Sequence, residues 1–275
     1  MLKQRIITAA ILIPAALWLV LLASHEVFVV GMSAIIGIAA YEWGRLSGLD
    51  NLPAYLVAAV FAVGLYLFSL QNIALPVYEI TIVYSAIWLL LTLQLIFRNR
   101  PLSTATGIAW FTLLQGLLLL AGAWLSVNAI HAIAEVGSQL LMIMLVLIWI
   151  ADSAAYFSGH KFGKNKLSIH VSPGKSWEGV MGALIGACIY GYLIAMHDFF
   201  SAIEPLLLSA LSILVVFVSV GGDLFESKAK RERGVKDSGT ILPGHGGIYD
   251  RIDSVIAAAP VFLFGLLLLT TGGGA

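Results

Sequence analysis

About nine stretches of roughly 20 mostly apolar residues follow one another along this chain. They lie near 6–23, 27–46, 53–70, 80–97, 105–127, 139–158, 177–197, 205–225 and 252–271. At about 1.5 Å per helical residue, such runs are comparable in length to the ~30 Å hydrocarbon core of a bilayer. Continuous apolar runs of this length are not buried strands, and the alternation of a transmembrane barrel is missing. The fold class is therefore all-α, a polytopic integral membrane bundle of about nine transmembrane helices. With 60% hydrophobic and 11% charged residues, the chain lies outside the soluble globular class. Lys3 and Arg5 give the first run the basic start of a signal peptide. The run is long for that role, however, and Leu21-Leu22-Ala23-Ser24-His25 is a poor cleavage site, so a retained helix is expected. The single cysteine, Cys188, falls inside the seventh run and reads as a small apolar residue. The glycine-rich end, 270–275, reads as a frayed terminus.

Charge then orients the bundle. With nine spans, the N-terminus and the loops after spans two, four, six and eight share one side. Those places hold Lys3 and Arg5, Arg45, Arg98 and Arg100, the lysines at 161, 164, 166 and 175, and a cluster over 228–251: all fifteen Lys and Arg of the chain. Positive loops stay cytoplasmic, so the N-terminus and both large basic loops are expected there. The formal net charge of zero says nothing of this; the asymmetry does. Residues 1–140 read as a scaffold half and 141–275 as the half that carries chemistry, within one membrane domain.

Two polar stretches stand out. Ser227 to Asp253 gathers Lys228, Lys230, Arg231, Arg233, Lys236 and Arg251 with Asp237, Asp250, Asp253, His245 and the turn Pro243-Gly244-His245-Gly246-Gly247. Cations bind phosphate oxygens, carboxylates hold a hard divalent metal, and backbone N–H groups of consecutive glycines can close around an anion. The second stretch runs over 159–179 and ends Ser172-Pro173-Gly174-Lys175-Ser176 before span seven, where a helix N-terminus and Lys175 would face a phosphate. Gly174-Lys175-Ser176 looks like the end of a P-loop. The upstream glycine position is Ile169 and no strand is expected before it, so that motif is rejected.

Carboxylates near span ends cost roughly 2.5–3.5 kcal/mol when they sit at a helix centre, so each needs a reason. Asp223 ends span eight and Asp250 begins span nine. Antiparallel helices joined by one loop would bring these two together as a Mg²⁺ site, with Asp152 as a third carboxylate. The competing reading pairs an aspartate with Arg251. Glu42 reads as capping a helix or reaching interfacial water; for Glu226 that reading and a functional one stand level. The histidines form no metal spacing, and nothing interleaves cations with aromatics as nucleic-acid binding would require.

Ser227, Lys230-Arg231, Lys236-Asp237, Gly239, Leu242-Pro243, His245-Gly246-Gly247 and Asp250-Arg251-Ile252-Asp253 fall at the spacing of the phosphatidate cytidylyltransferases, and the chain resembles that family. Ser172 to Gly179 and Gly222 to Ser227 add to the resemblance, which covers roughly 150–255; Ala229 departs from it, standing where the family has a larger apolar residue. The resemblance implies that Asp223 and Asp250 ligate Mg²⁺, with room for a second cation. It also implies CTP and phosphatidic acid as substrates. Lys175 would join the two aspartates in catalysis. Ser172, Lys230, Arg231, Lys236, Asp237, His245, Gly246, Gly247, Arg251 and Asp253 would bind substrate. A bacterial inner-membrane protein with a cytoplasmic active site is expected, a homodimer is left open, and no nucleic-acid partner is expected. Two alternatives remain: a CTP-dependent lipid kinase of the phytol or dolichol kind, and a secondary transporter of a phosphorylated solute. The second should show an inverted repeat and midplane charges, and neither is visible.

Overall fold

The computed structural model describes residues 2–71, 73–98 and 101–271, with side chains from Ile6 onward except at 198 and 271. Arg100, the side chains of Lys3 and Arg5, and the 272–275 tail thus lie outside the described residues. The helices are α1 (Leu2–Leu21), α2 (His25–Leu46), α3 (Asn51–Ser69), α4 (Val77–Ile96), α5 (Trp110–His131), α6 (Gly137–Phe162), α7 (Trp177–Ile194), α8 (Pro205–Glu232) and α9 (Tyr249–Thr271). Eight of them, α2 to α9, are long and apolar enough to cross a membrane; the apolar part of α1, Ile6–Leu21, is shorter. The chain is a polytopic helical membrane bundle. Its only strands among the described residues form a small antiparallel hairpin between α6 and α7, β1 (Lys166–Ser168) and β2 (Ser172–Ser176). A strand was not expected there. Because position 169 is still isoleucine, the hairpin does not restore a P-loop.

Two helix boundaries differ from the hydropathy reading by more than about four residues, each for a physical reason. Helix α8 continues seven residues beyond 225, carrying Glu226, Lys228, Lys230 and Arg231 on the helix rather than in a loop. Pairs four residues apart support the extension, Glu226 with Lys230 at 2.8 Å and Lys228 with Glu232 at 3.0 Å. It stops at Gly234, whose φ of 71° permits a left-handed cap: Gly234 N–H donates to Arg231 O at 3.1 Å and Val235 N–H to Lys230 O at 3.0 Å. Helix α5 begins at Trp110 instead of near 105, because the preceding backbone is bonded elsewhere. Ala105 N–H donates to Glu232 O and Ala109 N–H to Ser47 O, each at 2.8 Å.

The chain divides into two compact units, and neither is a continuous half of it. The first comprises Met1–Leu75, Leu102–Met142 and Glu226–Asp253; the second comprises Pro76–Pro101, Ile143–Phe225 and Ser254–Ala275. In both, small residues let helices approach where lipid offers no hydrophobic drive. In the first, a Cβ at Gly37 of α2 would lie 2.7 Å from Ala62 of α3, and Gly116 of α5 leaves room for the buried Trp43 ring, whose Nε1–H donates to Thr112 O at 2.9 Å. In the second, Gly191 packs on Ser209 and Ser212, Gly221 on Thr92, and Gly265 on Leu211.

Within the first unit, the loops expected on one side do meet at one end. Arg233 donates to Leu46 O at 3.0 Å, to Ala105 O at 3.3 Å and to Gly107 O at 3.1 Å, tying the ends of α2 and α8 to the loop before α5. Thr8 of α1 donates to Pro243 O at 3.0 Å. His25 and His131, at the opposite ends of α2 and α5, lie 3.1 Å apart. The alternation of spans read from the charges is therefore the alternation of the fold in this unit.

Candidate active site

The second unit holds a cavity of about 480 Å³ whose lining includes Asp152, Tyr156 and His160 of α6, Gly174 and Lys175 of β2, and Asp223 of α8. Glycines make room beneath it. A Cβ at Gly159 of α6 would lie 3.3 Å from Ser176 Oγ and 3.5 Å from Gly179 Cα. The hairpin fixes Lys175 by pairing Lys166 with Ser176 and Ser168 with Ser172. Ser176 then caps α7, accepting from Gly179 N–H at 3.2 Å, while Trp177 N–H donates to Asn165 O at 2.9 Å. Asn165 in turn donates to the Glu178 carboxylate through its backbone N–H, at 3.1 Å, and its side-chain amide, at 2.7 Å. Two of the N–H groups at the start of α7 are thus used internally. What this corner presents to an anion is chiefly the Lys175 ammonium.

Lys175 Nζ lies 2.8 Å from Asp223 Oδ2, with the two side chains 25% and 37% exposed. Asp152 is open to the same cavity. Two carboxylates and a cation around a water-accessible hollow are hard-ligand chemistry: Mg²⁺ takes one or two carboxylates, keeps several waters and completes its shell with substrate phosphate. Among the described residues, no three His, Cys, Asp or Glu side chains form a complete metal cage.

The first unit holds a second polar cluster, and here the glycine-rich turn behaves differently from the expectation. Asp250 Oδ2 accepts from Gly247 N–H at 2.8 Å and from Ser238 N–H and Oγ at 3.0 Å each. Its Oδ1 lies 2.7 Å from Lys230 Nζ, which also binds Glu226 at 2.8 Å. The turn does close around anions, but in this structure they are the chain's own carboxylates. Gly244 and Gly246, with φ of 77° and 82°, make the reversal, closed by Leu242 N–H to Gly246 O and His245 N–H to Leu242 O, each at 2.9 Å. Arg251, offered as a partner for an aspartate, instead donates to His245 O at 2.7 Å.

The model described as the cytidylyltransferase family matches residues 3–269. The chain belongs to the cytidylyltransferase family. Similar members include the phosphatidate cytidylyltransferases of Pseudomonas aeruginosa, 41% identical with all of both chains covered, and of Haemophilus influenzae, 35% identical over 96% of this chain and 98% of the relative. The Bacillus subtilis protein of the same name is 31% identical over 97% and 98%.

For this family member, the structure brings three of the sequence-selected residues, Asp152, Lys175 and Asp223, into one cavity. Lys230, Gly247 and Asp250 meet in the other cluster, with Lys230 only 9% exposed. Arg231, Lys236, Asp237 and Arg251 are exposed, while Ser172, His245, Gly246 and Asp253 are half-buried. Sequence reasoning missed two residues of the second cluster, Glu42 and Ser238. Glu42 is 1% exposed and accepts from Ile248 N–H at 3.0 Å, Tyr249 N–H at 2.8 Å and Ser238 Oγ at 3.0 Å. The helix-capping reading of Glu42 is thus right, but the helix it caps is α9, some 200 residues away. A carboxylate within an otherwise uncharged membrane run was its one available signal.

Proposed function

We propose that this chain is a phosphatidate cytidylyltransferase, converting CTP and phosphatidic acid to CDP-diacylglycerol and pyrophosphate. The observation that carries the reading is the cavity with Lys175 and Asp223 paired at 2.8 Å and Asp152 beside them, in a helical membrane bundle of the cytidylyltransferase family. A phosphate oxygen of phosphatidic acid attacks the α-phosphorus of CTP. The bond from that phosphorus to the bridging oxygen breaks, and pyrophosphate leaves with the electron pair. The attacking oxygen is already ionised at neutral pH, so no strong general base is needed. The protein's work is to hold two polyanions in line and offset their repulsion.

Lys175 does this by exchanging Asp223 for a phosphate oxygen as CTP enters. Arg231, Lys236 and Arg251 are exposed, and we assign them to neutralising substrate phosphate. Asp223 and Asp152 fit Mg²⁺ as hard oxygen donors open to the cavity, and bound there the ion would neutralise triphosphate charge. Asp250, the other aspartate assigned to the metal, has four donors within 3.0 Å, so ligation by it requires one of them to be exchanged. The acyl chains stay among the helices while the phosphate meets soluble nucleotide. That places the reaction at a bilayer surface, which we assign to the cytoplasmic face of a bacterial inner membrane from the one-sided distribution of cations.

The test incubates purified protein with Mg²⁺, phosphatidic acid and CTP labelled in turn at the α-phosphate, the γ-phosphate and the cytosine. Label from the α-phosphate and the base in lipid, with pyrophosphate released, is the expected result. Lipid labelled from the γ-phosphate alone would mark a lipid kinase, and unlabelled lipid would overturn the reading.

A further inference from the structure

Asp250 is held from outside its own helix, by way of Ser238, by the buried carboxylate that caps α9. Glu42 sits near the end of α2, 1% exposed. A charge so buried is costly unless its lone pairs are filled. Three donors fill them: Ile248 N–H at 3.0 Å on Oε1, and Tyr249 N–H at 2.8 Å and Ser238 Oγ at 3.0 Å on Oε2. Ile248 and Tyr249 contribute N–H groups from the start of α9, donors that have no partner inside a helix and lie at its positive end.

Ser238 makes the connection to Asp250. Its hydroxyl lies 3.0 Å from Glu42 Oε2 and 3.0 Å from Asp250 Oδ2, and it has one proton to give. That proton serves one carboxylate at a time; given to Glu42, it leaves Ser238 N–H to hold Asp250 at 3.0 Å, so one residue ties the two carboxylates together. The surrounding glycines are explained by the same contact. A Cβ at Gly239 would run into the Glu42 carboxylate, and one at Gly247 would meet both Ser238 Oγ and Glu42.

We infer that Glu42 is the positioning residue for Asp250: it locks the 238–248 loop and the start of α9 to α2, and through Ser238 it sets the direction of the Asp250 carboxylate. The inference rests on the proposed reading in which Asp250 serves the transfer reaction. Glutamine at 42 keeps the shape but has one acceptor oxygen in place of two, so its amide NH₂ must face either Ile248 N–H or both Tyr249 N–H and the Ser238 hydroxyl.

The experiment measures CDP-diacylglycerol formation by wild-type protein, Glu42→Gln, Ser238→Ala and the double variant, normalised to folded protein from thermal unfolding in detergent. Glu42→Gln is expected to lower kcat about ten- to hundredfold, the rate equivalent of one charge-assisted hydrogen bond, with the KM for CTP changed less than about twofold. Ser238→Ala is expected to lower kcat about three- to tenfold, and the double variant to be no slower than Glu42→Gln alone, because both act through one contact. A purely structural role would lower the folded fraction and leave kcat per folded molecule unchanged, which overturns the inference. Multiplicative losses in the double variant overturn it too. Should Glu42→Gln fail to fold, Ser238→Ala decides, since it leaves both backbone contacts of Glu42 in place: an unchanged kcat refutes. If wild-type protein forms no CDP-diacylglycerol, the proposed function fails, and the failure is distinct from that of the inference.

Discussion

Replacing Lys175 by alanine removes the cation that the structure places in the cavity beside Asp223. At their 2.8 Å separation the gross Coulomb attraction is about 6 kcal/mol at an effective dielectric of about 20. Side chains 25% and 37% exposed are screened by water, and ordering the lysine costs entropy. What the ammonium contributes on a phosphate oxygen is then nearer the net worth of a charge-assisted hydrogen bond, about 1.5–3 kcal/mol. Lys175→Ala should therefore lower kcat/KM for CTP about ten- to hundredfold, read from pyrophosphate release at subsaturating CTP. Asp223→Asn should be at least as damaging. Because the two side chains touch, the losses in the double variant should fall short of their sum by about 1 kcal/mol or more. Lys164→Ala, exposed in the segment after α6, is the control and should change kcat/KM less than about twofold. A Lys175→Ala protein with wild-type CTP kinetics would refute the reasoning, leaving the cavity without a role in nucleotide binding.

Asp152→Asn should raise the Mg²⁺ concentration for half-maximal activity severalfold with partial loss of kcat; an unshifted Mg²⁺ titration removes Asp152 from the metal's reach. Lys230→Met should destabilise the fold by about 3–5 kcal/mol, because it leaves the Glu226 and Asp250 carboxylates buried without their shared cation. An unchanged unfolding midpoint in detergent would contradict that. Gly221→Val should cost about 1–3 kcal/mol by forcing a side chain into Thr92, whereas Gly64→Ala, with open space around its Cβ, should be near neutral; equal effects would show that packing at 221 is not tight.

The helical membrane class was legible in the sequence, as were the eight long apolar helices, though the first of the nine expected spans is shorter; within the first unit the alternation of helix ends was legible too. Hydrophobic length and charge placement act locally, residue by residue, and need no partner to be read. The lysine before α7 and the aspartates at span ends were equally visible, since a charge at a membrane boundary must be accounted for wherever the chain goes. The tertiary structure alone decided which charge meets which. Asp223 found Lys175, more than 40 residues away, because a hairpin that hydropathy does not signal turns β2 toward α8. Arg233 is counted in the basic cluster, yet three carbonyls from two distant loops engage it. Glu42 looked like a boundary residue of an early span; only folding brought it to Ser238 and the start of α9, where unpaired N–H groups needed an acceptor. Hydrogen-bond satisfaction is a property of the assembled chain, and no periodicity or motif encodes who will satisfy whom.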